Sequence, residues 1–211
     1  RYANAGFNVL RRVAYVWEDD LQTRLEYEKL LRDHHLAFQA IRIDEAPKWD
    51  FTVYDLILIA SETGYLDEWG TPEAVSAIVQ AERPILGLGE GGYAFFGKLN
   101  LGIGYPEGAH GDGTSIDWVN SSDAIWSTPY NISLLKEPLQ LYDKPSNRVD
   151  IFVEDQPPGV DVFGLNDADS RYANLVMESI WFMLWGFDDA PSAMTETGLR
   201  LFVNTILRTM Q

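Results

Sequence analysis

Cysteine is absent from the 211 residues, which excludes disulfides, thiolate metal sites and a thiol nucleophile. Histidine is scarce, with three residues in all: His34, His35 and His110, and none after that. No apolar run approaches the roughly 18 residues of a membrane-spanning helix. The start lacks the basic segment and apolar stretch of a signal peptide. The chain opens on Arg1 rather than Met, so it reads as a processed product or an excised piece of a longer protein. Basic residues are also few, 16 Lys and Arg against 32 Asp and Glu, for a net charge of −16. Such a field repels phosphate backbones and anionic lipid, so nucleic acid and membrane insertion are poor expectations.

What is present is a chain with 46% hydrophobic and 13% aromatic residues, seven of them Trp. That is enough for one substantial core. Without an internal repeat or a low-complexity linker, the expected organisation is a lead-in segment, 1–10, followed by one domain, 11–211. A cysteine-free acidic domain suits a bacterial cell surface or secreted protein. Its expected partners are other domains of a larger protein or a second copy of itself.

The first half alternates strand and helix signals. Val13 to Trp17 is a short apolar run, and the acids Glu18, Asp19 and Asp20 after it supply a helix cap. Leu21 to His35 is rich in helix formers, with His34 and His35 at the negative end of the helix dipole. Ala37 to Ile43 fits a second strand. Tyr54 to Ala60 is almost wholly apolar, as befits a strand covered on both faces. Thr71-Pro72-Glu73 opens a helix with a cap, a first-position proline and an acid. Pro84 to Leu88 then forms a fourth strand ahead of a helix carrying Tyr93, Phe95 and Phe96. This order predicts an α/β fold: a three-layer, doubly wound, mainly parallel sheet with helices on both faces.

The second half reads differently. Leu101 to Ser133 looks like loop. Strand-type runs follow at Leu139–Tyr142, Val149–Val153, Val160–Leu165, Ala173–Met177 and Ile180–Trp185, with a turn at 166–170 between antiparallel strands. Leu199, Phe202, Val203, Ile206, Leu207 and Met210 mark the buried stripe of a closing helix.

The densest signal is Pro84-Ile85-Leu86-Gly87-Leu88-Gly89-Glu90-Gly91-Gly92-Tyr93. Gly87, Gly89 and Gly92 satisfy the dinucleotide fingerprint. That motif belongs at the first strand of its unit, however, and Glu90 would face the pyrophosphate. A second reading is a strand-to-helix elbow, and a third is close packing of strand, turn and helix by glycine. The second and third combine. The run resembles the elbow of class I glutamine amidotransferase-like domains: Pro84, Gly87, Leu88 and Gly91 match, and Gly89 stands where that family carries its cysteine nucleophile. Tyr54 to Gly64 resembles the family's third strand and the turn that helps form an oxyanion hole. Trp181 to Asp188 resembles the strand that delivers its His and Glu.

The resemblance implies amidotransferase chemistry, and the residues argue against it. That reaction needs a thiolate, an activating histidine and an orienting carboxylate. Gly89 supplies no nucleophile, and no histidine follows His110. The expectation is therefore an amidotransferase-like domain without that activity, serving as a binding or assembly module. The alternative is a hydrolase using a carboxylate pair or a bound cation. Acids cluster where a parallel sheet opens its ligand crevice, so Glu18, Ser61, Glu62, Gly89, Glu90 and Gly91 are the crevice candidates, and whether Glu18, Glu62 and Glu90 converge in one open pocket separates the hydrolase from the binding module. No cofactor is expected, apart from a weak calcium option at Asp167 and Asp169. His110, between glycines, reads as an exposed loop residue. Trp69, Trp118 and Trp126 are packing residues, or else platforms for sugar rings.

Overall fold

The computed structural model describes residues 10–154 and 157–211. The expected lead-in segment therefore falls outside the described residues except for Leu10. The first half follows the sequence pattern: strand β1 (Arg12–Trp17), helix α1 (Leu21–Asp33), β2 (Ala37–Arg42), β3 (Leu56–Ile59), a small hairpin of β4 (Gly64–Tyr65) and β5 (Glu68–Trp69), α2 (Pro72–Val79), β6 (Ile85–Leu88) and α3 (Gly89–Lys98). The second half is β7 (Gly108–Gly113), β8 (Ser115–Trp118), β9 (Leu139–Gln140), β10 (Ser146–Phe152), β11 (Val160–Asn166), β12 (Tyr172–Glu178), β13 (Phe182–Trp185) and α4 (Glu196–Thr209).

One sheet runs through both halves, in the order β2-β1-β3-β6-β13-β12-β11-β8-β9. From β2 to β13 every pairing is parallel, and from β13 to β9 every pairing is antiparallel. Strand β10 continues beside β12 beyond the end of β13, and β7 lies outside β10. The turn at 166–170 does join two antiparallel strands, β11 and β12, with the Asn166 side chain accepting from the backbone N–H groups of Ala168 and Asp169. The segment expected to be loop after Leu101 contains two strands, β7 and β8.

Alternation along the apolar strands builds two cores. Val13, Tyr15, Leu56, Leu58, Leu86 and Leu88 face one side, where α1 and α4 cover them through Tyr27, Leu31, Phe202 and Ile206. Ala14, Val16, Ile57, Ile59 and Ile85 face the other, beneath α2 and α3, with Ala74, Ile78, Tyr93, Phe95 and Phe96. The helices begin as the sequence suggests: Asp20 caps α1 by accepting from Thr23, and Thr71 caps α2 by accepting from Ala74. Helix α1 ends at Asp33, and His35 turns the chain with φ of 59°. Among the described residues, no helix is long and apolar enough to cross a membrane.

Phe202 shows how α4 is held. It is fully buried, and its ring lies 5.5 Å from that of Tyr27 and 5.2 Å from that of Trp185. Truncating a buried aromatic loses both transfer energy and packing, so Phe202→Ala is expected to lower unfolding stability by about 3–5 kcal/mol. The exposed Leu25→Ala on α1 should change it by less than about 0.5 kcal/mol. Urea unfolding of the two variants checks both values.

Candidate functional site around the glycine elbow

The chain turns sharply at the end of β6. Gly89 has φ of +44°, a left-handed conformation that glycine adopts without penalty, and α3 begins there. The following glycines let the helix press onto the sheet. A Cβ on Gly92 would stand 2.4 Å from the Gly87 carbonyl carbon, and one on Gly91 would stand 2.1 Å from the Ala60 oxygen. Neither approach tolerates a side chain.

Parallel pairing of β13 with β6 sets Trp185 beside Leu88, so the residues after β13 arrive at the elbow. Strand β10 holds them there: Val149 N–H donates to the Gly186 carbonyl (2.8 Å), and Asp188 N–H donates to that of Asn147 (3.0 Å). The Asp188 Oδ1 accepts from Glu90 N–H at 2.8 Å. A Cβ built on Gly89 would lie 1.8 Å from that same oxygen. The space that a side chain at residue 89 would need is therefore filled by a carboxylate. This carboxylate caps the positive end of α3. Ser61 donates its hydroxyl to the Asp188 carbonyl at 2.9 Å. Burial pushes the Asp188 carboxyl up to about 6; the Glu90 N–H works against that shift, and the charges of Glu90 and Asp189 add to it.

Glu90 is buried and doubly engaged. Its Oε1 accepts from Leu66 N–H in the β4–β5 hairpin turn at 2.6 Å, and its Oε2 meets His110 Nε2 at 2.5 Å. His110 is exposed, as expected, but it stands on a strand and not in a loop. It sits on β7, opposite Val149 of β10, with its ring 5.9 Å from that of Tyr93 and 6.2 Å from that of Tyr65. The ladder to β10 supplies the order that the local composition does not.

Of the three acids whose convergence separates the two readings, the structure brings together Glu18 and Glu62. Glu62 follows β3 and accepts from the backbone N–H of Glu18 at 3.2 Å. Among the described residues no hydrogen bond joins either of them to Glu90, and no group of three His, Asp or Glu is placed to hold a metal. Burial raises the Glu62 carboxyl. Glu18 and Glu62 thus line one groove, while Glu90, His110 and Asp188 gather at the elbow.

Comparison of the whole fold with known proteins fits this geometry. A GMP synthase subunit protein from Thermoplasma acidophilum superposes with a TM-score of 0.62 at 11% identity, over 95% of this chain and 94% of the other. A glutamine amidotransferase from Thermotoga maritima gives 0.58 at 13% identity, over 95% and 98%. PurLQS from the same organism gives 0.59 at 10%, over 94% and 98%. The chain has the class I glutamine amidotransferase-like fold. No protein-family model matches the sequence, and the search of curated proteins finds no match.

In this amidotransferase-like frame the remaining sequence candidates take structural places. Asp167 accepts from the Ser115 hydroxyl at 2.7 Å and pairs with Arg148 at 3.5 Å. Asp169 is gripped by Arg171 at 2.6 Å, whose hydrogen bonds pull its carboxyl down to about 2. Both carboxylates of the calcium option therefore already face arginines. Trp69 and Trp126 are buried, which removes them as sugar platforms. Trp69 lies 4.6 Å from Phe95 and donates to Thr63, and Trp126 donates to the Val119 and Asn120 carbonyls. Trp118 is half-buried against the same core. His34, expected as a cation at the helix end, meets the Tyr130 hydroxyl at 3.0 Å, and burial lowers its pKa. Asp188 is the residue that sequence reasoning missed; it closes the run likened to the histidine-bearing strand.

The Asp188 carboxyl has a folded pKa of about 6 against an ordinary 3.8. Between those values the folded state binds more protons than the unfolded one, so this group's contribution to stability falls as pH rises from about 4 to about 6. A shift of about two units corresponds to about 3 kcal/mol. Asp188→Asn keeps the acceptor for Glu90 N–H and removes the titration. The stability of the variant relative to the parent should therefore grow by about 2–3 kcal/mol between about pH 4 and about pH 7, as read by urea unfolding across that range.

Proposed function

We propose that the domain is a binding or assembly module of a larger, secreted or surface bacterial protein, built on an amidotransferase-like frame that performs no glutamine hydrolysis. The observation that carries this reading is the Asp188 carboxylate, which occupies the space above Gly89 and accepts from Glu90 N–H. Acyl transfer from glutamine needs a nucleophile at the elbow and backbone N–H groups free to stabilise the oxyanion. Here the chain holds no cysteine, and the N–H that follows the elbow residue already serves an anion. A second negative charge developing beside that carboxylate would be repelled. The cysteine-free, acidic composition supports the extracellular part of the reading.

Incubation with glutamine should release no glutamate or ammonia, and an electrophilic glutamine analogue should leave the mass of the intact protein unchanged. Turnover above the buffer rate, or stoichiometric labelling, would overturn the proposal.

A second reading, hydrolysis by acid and base groups, is favoured by one observation. Glu90 and His110 lie 2.5 Å apart beside an Asp188 whose carboxyl titrates near neutrality, an arrangement in which acid and base roles can separate. Screening of chromogenic esters and glycosides decides between the two readings. A bell-shaped pH–rate profile, lost about 100-fold or more in Glu90→Gln, would establish the hydrolase, and no turnover with any substrate leaves the binding module.

A further inference from the structure

Exposed apolar side chains gather at the end of the sheet opposite the elbow. Parallel pairing sets the N-terminal ends of β1, β3, β6 and β13 side by side, with Val13 beside Leu56 and Ile85 flanked by Ile57 and Phe182. The chain entering these strands carries Leu10, Val53, Ile180 and Trp181. Helix α2 ends beside them on Val79, which shares a groove with Ile85 and Trp181. All five are exposed, Ile180 by 66% and Trp181 by 40%. Apolar residues grouped in this way mark an interaction surface. Two grooves cut the face. One, of about 340 Å³, is lined by Val79, Glu82, Ile85 and Phe182, and the other, of about 390 Å³, by Arg11, Asp55, Ile180 and Met210. Arg83 and Trp181 line both and form the ridge between them. The ridge is held from below. Trp181 N–H donates to Ser179 Oγ at 3.2 Å, its carbonyl accepts from Ile85 N–H at 2.7 Å, and Arg83 donates to the Thr52 carbonyl at 2.5 Å. Groups already fixed in this way lose little freedom on binding.

We propose that this face joins two copies of the chain about a two-fold axis, with the Trp181 ridge of each seated in a groove of the other and Arg83 of each facing Glu82 of the other. A two-fold contact must be self-complementary, and a ridge flanked by grooves is. The charge is self-complementary as well. At a net charge of −16 two copies repel one another, so contact favours a face whose own charge cancels. Here Arg11 and Arg83 stand against Asp55 and Glu82. Asp55 is already engaged, accepting from Arg12 N–H at 2.7 Å. Glu82 is exposed, and among the described residues neither it nor Arg83 belongs to an ion pair. Arg83 Nε also lacks a hydrogen-bond partner there. Both charges are therefore free to pair across the axis. Trp and Arg are the residues that most often dominate such contacts, when seated in pockets that exclude water. Gly89, Glu90, His110 and Asp188 lie at the opposite ends of the strands, so the elbow stays open in the dimer. The inference rests on the assembly role proposed above and names its partner.

Sedimentation velocity of the full chain, from low to high micromolar concentration, tests the assignment. A monomer–dimer equilibrium is expected. Trp181→Ala and Ile180→Asp should each weaken it by about tenfold or more. Leu21→Asp, at the exposed start of α1 on the opposite end of the sheet, should leave it within about twofold. Urea unfolding verifies that each variant is folded. Arg83→Glu and Glu82→Arg should each weaken self-association, and mixing the two variants should restore it, because every contact across the axis then joins an acid to a base. A merely structural role for either residue predicts no such rescue. A chain that stays monomeric at every concentration overturns the proposal. It does so equally if only removal of residues 1–9 lets the chain associate, since the face would then seat the chain's own start. Undiminished association of Trp181→Ala and Ile180→Asp, or mixing without rescue, would overturn it too. A monomer leaves the binding-module reading standing, whereas glutamine turnover by a dimer would remove that reading and leave the contact.

Discussion

The closeness of α3 to the sheet is the constraint on which the rest of this molecule depends. Gly92 lies against Gly87, and Gly91 lies against the Ala60 carbonyl, at separations where no Cβ fits. Because the helix starts so near the strand ends, the backbone N–H of Glu90 faces the end of β13 instead of solvent. The same approach carries the Glu90 side chain under the β4–β5 hairpin, where Leu66 N–H and His110 fix both oxygens. A helix set even about 1 Å further out would leave a buried carboxylate and a helix end without partners, each costing free energy of the order of a whole mutation.

What fills the elbow is a charge rather than a nucleophile. Asp188 satisfies the helix end much as a bound anion would, and it does so from within the chain. Its raised carboxyl pKa records the cost, since the ionised form is disfavoured by burial and by Glu90 and Asp189. Proteins tolerate such a cost where the geometry is over-determined, and here it is. Asn147 and Ser61 hold the Asp188 backbone, and Val149 holds Gly186. The glycine turn of the amidotransferase-like fold is thus present, with the space above Gly89 filled by an internal carboxylate.

The parallel half of the fold was legible in the sequence because its strands are continuous apolar runs. Leu56 to Ile59 and Ile85 to Leu88 are buried on both faces, so no alternation obscures them. The elbow was legible because close approach and positive φ both demand glycine. Strand β7 was not, since Gly108 to Gly113 has little intrinsic strand preference and exists through its ladder to β10. The Glu90–His110 pair depends on that ladder, and the Asp188 contact depends on the register of β13 against β6, a pairing of residues almost a hundred positions apart. Whether Glu18, Glu62 and Glu90 meet was illegible for a similar reason. All three follow parallel strands, but only Glu18 and Glu62 come together, while Glu90 turns under the hairpin to His110.

The elbow and the ends of β1 and β3 differ in how their polar groups are paired. At the elbow the polar groups are mutually satisfied: carboxylate to N–H, carboxylate to imidazole, hydroxyl to carbonyl. Among the described residues, the Tyr15 and Tyr27 hydroxyls, Glu62 Oε2 and Arg24 Nε are buried without a hydrogen-bond partner. Native interiors leave few polar atoms unpaired, because each one subtracts from a net stability of only some 5–15 kcal/mol. At the elbow the fold avoids that cost from within the chain, with Asp188 answering the Glu90 N–H and His110 the Glu90 carboxylate.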